Sequence, residues 1–266
     1  GKTKISLGLN QPSKNFFNKI DMGKIRICAT IPNLDGKKSW GNIHQEFFDT
    51  IRNPDIEITI ADLPKAKIKS VSNAYDTTNL GFLHTELAID AEKNGFDGVA
   101  MGCLDEPGVD AAKEVLSIPV VGECEAAMHF ASLVGRKFSF LVPGTITGSK
   151  RGGDGAYFLE DLARKYGLIQ KLSSIRSVSA TSLDYAKQKE NFKNKMLVEA
   201  QKAIDEDGAD SIIGYGSLDL ITFLQSNLKV PVIEPVRSGV IFVESLIKLG
   251  ISHSKRAFPK PKDYKL

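Results

Sequence analysis

A cysteine stands on a tight turn between an apolar run, which predicts a strand, and a helix. Cys103 follows the run Gly98–Met101, and the next helix is predicted to begin near Pro107, because proline is favoured at helix starts. Ligands of open α/β sheets bind at the carboxyl ends of strands. The N–H groups of a helix N-terminus lower a thiol pKa and can hold a carboxylate or an enolate oxygen. Cys103 is therefore predicted to be the reactive group of an enzyme, and the alternative is a buried structural cysteine.

The other candidate residues near strand ends have weaker patterns. Asn33 ends the first strand and could donate its side-chain amide to a substrate carbonyl, although asparagine also forms turns. The stretch Val142–Asp154 contains Thr145 and leads into the glycines around Gly152. This segment lacks the Gly-Lys-Ser/Thr of phosphate-binding loops, so it is either a lid over a cleft or a plain connector.

The remaining cysteines and the histidines are predicted to be structural. Cys28 lies inside the first strand, and Cys124 opens a helix between Glu123 and Glu125, whose charges would raise a thiol pKa. The cysteine spacings fit no zinc motif, so no metal site is predicted. Histidines on helix patterns or near the tail, without carboxylates at metal-ligand spacing, are predicted to pack or to face solvent: His44, His84, His129 and His253.

The elements that must position these residues alternate between short apolar strands and longer amphipathic helices, which is typical of a parallel α/β fold. The predicted strands are Ile25–Thr30, Ile56–Ile60, Gly98–Met101, Val120–Val121, Lys137–Val142, Ser211–Gly214 and Val232–Ile233. The predicted helices are Trp40–Ile51, Thr78–Asn94, Glu123–Leu133, Tyr157–Tyr166, Tyr185–Glu206, Leu218–Ser226 and Gly239–Leu249. Left-handed helix caps are predicted at Gly95, Gly135, Gly167, Gly208 and Gly250.

An internal echo connects the two halves of the chain. The stretch Asn94–Cys103 resembles Asp207–Gly216: each has a helix end, a glycine, an acidic residue, a buried strand and a glycine turn. Each is followed by a helix and a Pro-Val strand. The echo favours duplicated α/β halves with a cleft between them. The alternative is that two strand-to-helix turns resemble each other by chance.

Composition excludes several partners. The chain has 266 residues, a net charge of +3 and no clustered basic stripe, so nucleic acid is not expected to bind. No apolar run reaches the roughly 20 residues of a membrane span, and the polar N-terminus does not resemble a secretory signal. An odd number of cysteines, three, favours a reducing compartment, so a cytoplasmic protein with a small-molecule substrate is expected.

At residues 95–127 the sequence resembles the Asp/Glu/hydantoin racemase superfamily, and most of all its hydantoin and allantoin racemases. The resemblance extends less specifically from Lys24 to Arg256. The specific motifs are Asp97-Gly98, Cys103-Leu104-Asp105-Glu106-Pro107-Gly108, Lys113-Glu114 and Pro119-Val120-Val121-Gly122-Glu123-Cys124-Glu125-Ala126-Ala127. Glu106 stands where the family usually has aspartate.

The resemblance implies two similar three-layer α/β/α domains with parallel sheets and an active site in the cleft between them. It implies residues 23–122 with 239–266 as the first domain, 123–238 as the second and 1–22 as an extension. It also implies a homo-oligomer that uses no metal or organic cofactor.

Two cysteines, one per domain, act on opposite faces of the substrate in the family. Cys103 matches the first, whereas the second falls on Gly216, or on Tyr215 after a one-residue slip. The substrate-binding residues expected around Cys103 are Asn33, Leu104, Asp105, Glu106, Thr145, Tyr215, Gly216 and Ser217.

A site with one cysteine leaves several alternatives open. Cys103 could move a proton in an isomerase with Tyr215 or Glu125 as partner, or protonate an enediolate in a lyase of the arylmalonate decarboxylase type. It could instead add to the substrate covalently, as the resemblance to maleate isomerases implies. Position 216 could also carry an introduced replacement of a cysteine, and a two-lobed cleft could simply bind a small anion.

Overall fold

The structure, a computed structural model, describes residues 23–63, 66–68, 73–143, 157–178 and 189–262. The first half contains β1 (Ile25–Ile31), α1 (Gly36–Asp49), β2 (Ile56–Asp62), α2 (Ala74–Lys93), β3 (Gly98–Met101), α3 (Val109–Val115) and β4 (Val120–Gly122). The second contains α4 (Glu123–Val134), β5 (Phe138–Pro143), α5 (Tyr157–Lys165), a short 3-10 helix (Ile169–Lys171), β6 (Leu172–Val178), α6 (Lys189–Asp205), β7 (Ser211–Gly214), α7 (Leu218–Asn227), β8 (Val232–Ile233) and α8 (Pro235–Leu249).

The strands form two four-stranded sheets with the same topology. Their orders are β2-β1-β3-β4 and β6-β5-β7-β8, and every pairing is parallel. All strands of a sheet therefore end at the same edge, where a ligand can contact several of them at once. The predicted fold class, two similar α/β units, is confirmed.

The echo between the two halves extends to hydrogen bonds. In the first half the Asp97 carboxylate accepts the backbone N–H of Arg26, and in the second the Asp210 carboxylate accepts that of Lys137. The backbone N–H of each aspartate bonds the carbonyl of the same partner. Each aspartate thus ties the start of a central strand to its neighbour, so the predicted echo is confirmed.

Apolar side chains cover both faces of each sheet. Helices α1 and α8 pack on one face of the first sheet, and α2 and α3 on the other. Helices α4 and α5 cover one face of the second sheet, and α6 and α7 the other. Helix α8 follows the last strand yet packs on the first sheet, so the chain crosses between the two units twice. The domain limits 23–122 with 239–266 and 123–238 remain a prediction, and the limit at residue 239 falls inside helix α8.

Three differences from the sequence prediction have physical causes. Strand β6 was not predicted, because it is an edge strand with three serines and Arg176. Helix α8 begins at Pro235, one turn before the predicted Gly239, because Glu234 caps it. Gly135 is extended rather than left-handed: a Cβ there would collide with the Asp210 carboxylate, so close packing explains the glycine.

Some predicted features lie outside the described residues. They are the extension 1–22, Thr145, the glycine segment around Gly152, and residues 185–188 of the predicted helix Tyr185–Glu206. Within the described ranges, no helix has the length and apolar character that crossing a bilayer requires.

Candidate active site

Cys103 occupies a sharply bent turn at the carboxyl end of β3. Its φ is 91°, and that of Glu106 is 51°; both are left-handed conformations that side chains other than glycine rarely adopt. The Gly102 N–H donates to the Thr30 carbonyl at 3.0 Å, and a Cβ at Gly102 would collide with that oxygen. Such conformations persist only where the surroundings enforce them, and they cluster at functional sites.

His84 of α2 holds the turn that carries Cys103 in place through contacts on both ring nitrogens. Its Nδ1 lies 2.8 Å from the Pro107 carbonyl oxygen, and its Nε2 contacts the Thr30 hydroxyl. Because a carbonyl can only accept, Nδ1 carries the hydrogen and Nε2 accepts from Thr30. Burial lowers the pKa of His84 to about 4, so the imidazole stays neutral at physiological pH. The prediction of a helix-packing histidine gave no sign of this contact with the turn.

Glu106 connects the turn to the second unit. The side chain is 5% exposed, and its Oε1 accepts the Glu125 N–H at 2.6 Å. Its Oε2 accepts the Tyr166 hydroxyl. Burial, followed by the charge of Glu125, raises the pKa of Glu106 to about 7. Both oxygens are bound by protein groups, so this carboxyl joins the two units at the turn.

Glu125 is held in a buried ion pair. Lys113 Nζ lies 2.6 Å from each carboxylate oxygen of Glu125 and also lies over the rings of Tyr166 and Phe258. This bidentate contact occupies the carboxylate that was a candidate proton partner of Cys103.

Asp105 and Leu104 point in different directions from the turn. Asp105 Oδ2 accepts the Thr77 hydroxyl, and the aspartate lines a cleft of about 300 Å³ between α2 and α5 that also includes Lys165. The Leu104 side chain is buried in the apolar cluster with Cys124. Leu104 can therefore offer a ligand only its backbone.

The pKa of the Cys103 thiol is raised, contrary to the prediction from a helix N-terminus. Burial raises it to about 12; the Asp105 N–H opposes this, and the carboxyls of Asp105, Glu123 and Glu106 add to it. The predicted lowering is wrong because burial is the largest influence on this thiol, and α3 begins only at Val109, six residues after Cys103. Cys103 is nevertheless the most accessible thiol, since it is half-buried while Cys28 and Cys124 are buried.

Tyr215 lies near Cys103 from the second unit. The Tyr215 N–H bonds the Leu141 carbonyl at the end of β5, as the Gly102 N–H bonds Thr30 at the end of β1. Gly216 is therefore the backbone counterpart of Cys103, but a Cβ at Gly216 would point into Leu220. Burial raises the pKa of Tyr215 well above its usual value, and the charges of Glu123, Cys103 and Glu234 add to this.

Two further residues, Trp40 and Ser217, lie near Tyr215. The Trp40 ring of α1 lies 6.4 Å from the Tyr215 ring, centroid to centroid. The Ser217 hydroxyl accepts the Leu220 N–H at 3.3 Å and caps α7. Ser217 therefore has a structural bond besides any contact with substrate.

Two buried glutamates that the sequence did not single out also belong to the site. Glu234 caps α8 with both oxygens, which accept the N–H groups of Val236 at 2.6 Å and Arg237 at 2.9 Å. Glu123 begins α4, and the Cys103 N–H donates to its carboxyl. A glutamate directly after a strand, at the first or capping position of a helix, is the only sequence signal for either.

The roles predicted for Asn33 and Thr145 remain predictions. Asn33 follows β1, and its carbonyl accepts the Gly36 N–H at 3.1 Å. Thr145 lies outside the described residues. Among the residues that are described, no group of histidine, cysteine or acidic side chains has the arrangement of a metal site.

Comparison with known proteins places the chain in a family. The profile of Asp/Glu/hydantoin racemases matches residues 44–243. The chain belongs to the Asp/Glu/hydantoin racemase family. The hydantoin racemase of Pseudomonas sp. (strain NS671) is 30% identical over 77% of this chain and 81% of its own length. That of Paenarthrobacter aurescens is 32% identical over 72% and 79%.

Solved structures agree with this assignment. The allantoin racemase of Klebsiella pneumoniae superposes with a TM-score of 0.79 at 26% identity, covering 91% of this chain and 96% of its own. A mutant of arylmalonate decarboxylase reaches 0.61 at 16% identity, covering 85% and 94%, and so shows the fold alone. This family member is thus an enzyme of the racemase and isomerase type, and the resemblance drawn from residues 95–127 is confirmed.

Proposed function

We propose that the chain inverts the carbon next to a carbonyl in a small cyclic amide or carboxylate, with Cys103 and Tyr215 as the two proton-transfer groups. The observation that carries this is their placement: Cys103 lies on the strained turn of one unit, and Tyr215 lies near it from the equivalent turn of the other. Inversion requires an acid and a base on opposite faces of the substrate carbon. A thiol and a phenol carried by separate units would supply this acid and base without a second cysteine.

The Cys103 thiolate takes the proton, so the substrate C–H bond breaks and an S–H bond forms, while the electron pair moves to the carbonyl oxygen. Tyr215 then gives its hydroxyl proton to the opposite face of the carbon. The raised pKa values of Cys103 and Tyr215 make their conjugate bases strong enough for a weakly acidic C–H. The backbone N–H groups of Leu104 and Gly216 are the proposed donors to the enolate oxygen, because the N–H groups of Asp105 and Glu106 already bond the Cys103 thiol and carbonyl.

The proposed substrate is a neutral cyclic amide, such as a 5-substituted hydantoin or allantoin, more than a dicarboxylate. The relatives named for these compounds match most of the chain. The carboxyls around Cys103 (Asp105, Glu106 and Glu123) would repel a second carboxylate. We further propose a cytoplasmic homo-oligomer that needs no cofactor. Gel filtration with light scattering of the purified chain tests the oligomer.

Decarboxylation is the second candidate, because the counterpart of Cys103 is Gly216 and leaves a single cysteine at the two equivalent turns. A thiol on one side can protonate an enediolate after loss of CO2. The carboxyls around Cys103 weigh against this candidate, since a malonate brings two negative charges.

The test uses single enantiomers of 5-substituted hydantoins and of allantoin, and a substituted malonate, in deuterated water near neutral pH, with an enzyme-free control. We expect the hydantoin or allantoin to lose optical activity and gain one deuterium with an unchanged skeleton. Loss of CO2 from the malonate would support the decarboxylase, and binding without exchange would support an anion-binding protein.

Cysteine-to-serine variants test whether Cys103 carries out the reaction. Cys103→Ser should abolish exchange while substrate affinity stays within about threefold, because the smaller, less acidic hydroxyl replaces the base. Cys28→Ser is the matched control and should keep turnover. Iodoacetamide should label Cys103 before Cys28 and Cys124, as their exposure predicts. Full turnover in folded Cys103→Ser protein would refute the proposal.

A further inference from the structure

Glu125, in the first turn of helix α4, carries a negative charge that is fixed by a buried cation. Lys113 of α3 is 2% exposed, and its Nζ lies 2.6 Å from each oxygen of the Glu125 carboxylate. The same Nζ lies 5.6 Å from the ring centroid of Tyr166 and 5.5 Å from that of Phe258. A buried ammonium ion is stable only when it is paired, so the carboxylate of Glu125 stays charged beside it.

Glu106 is the carboxyl next to Glu125, and within the described part of the chain it has no such ion pair. The Glu125 N–H donates to its Oε1 at 2.6 Å, and the Tyr166 hydroxyl bonds its Oε2. Lys165, whose charge also reaches Glu106, is paired with Asp110 at 2.8 Å. One carboxyl of this adjacent pair is thus neutralised by a cation, whereas the other is held by hydrogen bonds.

The charge on Glu125 favours a proton on Glu106. Burial is the largest cause that raises the pKa of Glu106, to about 7, and the charge of Glu125 is the second; hydrogen bonds from Tyr166 and the Glu125 N–H oppose them. Because Oε1 accepts an N–H, the proton belongs on Oε2, where the Tyr166 hydroxyl can accept as well as donate. Two carboxyls in contact seldom ionise together, so the ion-paired one takes the charge and the other keeps the proton.

The ionisation of Glu106 matters for Cys103. The two residues share one turn, and the Glu106 N–H donates to the Cys103 carbonyl at 3.1 Å. Burial is the largest cause that raises the pKa of Cys103, and a charge on Glu106 adds to it. A neutral Glu106 therefore leaves the Cys103 thiolate with one fewer negative charge nearby.

We propose that Glu125 is a positioning residue for the reaction, because its fixed negative charge keeps a proton on Glu106 and so spares the Cys103 thiolate a further charge. Lys113 anchors that negative charge. The benefit is present below about pH 7 and is lost as Glu106 ionises above it. Glu125 acts through the turn rather than on the substrate, and the inference rests on the proposed function, in which the Cys103 thiolate is the base.

Titratable groups on several elements face Glu106 or its partners. They are His84 of α2, Asp110 and Lys113 of α3, Glu123, Cys124, Glu125 and His129 of α4, Lys165 of α5, Tyr166 after it, and Cys103 and Asp105 of the turn. All except Glu125 are the same in the wild type and in a Glu125 variant, so the ratio of their rates cancels these titrations. Glu234, whose pKa burial raises to about 7, cancels in the same way.

Glu125→Gln tests this role, because it removes the charge while the backbone N–H can still donate to Glu106. We expect the pH at which Glu106 loses its proton to fall by about one unit. The infrared band of the protonated carboxyl follows this ionisation, and its absence after Glu106→Gln in each background assigns it. The ratio of kcat/KM, variant to wild type, should be about one third at about pH 6.5 and return to one or above at about pH 8.5, where Glu106 is charged in both proteins.

A matched control and a second variant keep the test decisive. Glu244→Gln also removes one carboxylate of an ion pair, with Lys248 on α8, and should change neither the infrared band nor the rate ratio at any pH. The double variant Lys113→Met with Glu125→Gln leaves no unpaired buried charge, so it serves where the single variant does not fold, and the same results are expected.

Two outcomes overturn the inference. An unmoved carboxyl band means that Glu125 does not set the ionisation of Glu106. A rate ratio that is the same at every pH means that Glu125 only supports the fold, even if the band moves. The infrared titration of Glu106 needs no turnover, so it stands apart from the proposed function, which fails if folded Cys103→Ser protein stays active.

Discussion

The hydroxyl of Tyr166 donates to Oε2 of Glu106, so a residue next to helix α5 is bonded to the turn that carries Cys103. The Glu125 N–H holds the other oxygen of the same carboxyl. The reactive turn is thus fixed by the second unit as well as by its own sheet, and the geometry of Cys103 depends on how the two units meet.

Tyr166→Phe removes the hydroxyl and leaves Oε2 of Glu106 without its donor. A buried acceptor that loses its partner costs about 1–3 kcal/mol, so we expect the free energy of unfolding to fall by that amount. Urea denaturation measures it. The control is Tyr157→Phe, since Tyr157 is 47% exposed, and should be close to neutral. Equal stability of the two variants would mean that the bond to Glu106 contributes nothing.

The stability of the protein should depend on the ionisation of Glu106. The pKa of this carboxyl is raised from 4.5 to about 7, so between those values the folded protein binds the proton that the unfolded chain has lost. Its contribution to stability is therefore present at low pH and is lost as the pH rises through 7.

Glu106→Gln cannot ionise, and its amide can accept from Glu125 and donate to Tyr166. Relative to this variant, the wild type should lose roughly 3 kcal/mol of unfolding free energy between pH 4.5 and 8, an upper estimate from the size of the pKa shift. Urea titrations at several pH values give the difference. Parallel stability curves for the two proteins would show that Glu106 does not titrate in this range.

The sequence was sufficient for the parts of the fold that have local signals. Strands β3 and β7 are buried apolar runs bounded by glycine, and their predicted ends coincide with those observed. Strand β6 has no such run. It is stabilised by pairing with β5 and by the ion pairs of Arg176 with Glu199, Glu206 and Asp207. Those partners lie far along the chain, so no local pattern indicates them.

The same distinction holds for the site. The turn at Cys103 was predictable because a cysteine between a strand and a Pro-Gly helix start is a local pattern. The roles of His84, Glu123 and Tyr166 were not, because each arises from a contact with a distant segment. The direction of the Cys103 pKa shift was mispredicted because burial, its largest cause, exists only in the folded chain.

His84→Ala tests the support beneath the turn. The change opens a cavity and leaves the Pro107 carbonyl without its donor, so we expect a loss of about 3 kcal/mol of unfolding free energy. Cys103 should also react faster with iodoacetamide, because the turn is no longer held in its left-handed conformation. His129→Ala is the control: His129 contacts the rings of Tyr166 and Phe242 and should leave the alkylation rate unchanged. An unchanged alkylation rate of Cys103 in His84→Ala would show that the turn keeps its conformation without His84.

Tyr215→Phe separates the two faces of the proposed reaction. The ring still packs near Trp40, so stability should change little, but the proton donor of the second unit is gone. Cys103 can still remove and return a proton on its own face. We therefore expect one enantiomer of the substrate to exchange its proton for deuterium without inversion, while the other stays inert.

Proton NMR follows the exchange, and polarimetry follows the inversion, on the same sample. Tyr75→Phe, a change at an exposed tyrosine on α2, should alter neither. If Tyr215→Phe loses optical activity as fast as it exchanges, the opposite face is protonated by another group, and the pairing of Cys103 with Tyr215 is wrong. If exchange and inversion both stop, Tyr215 is needed for the first proton step, and the roles of the two residues must be reversed.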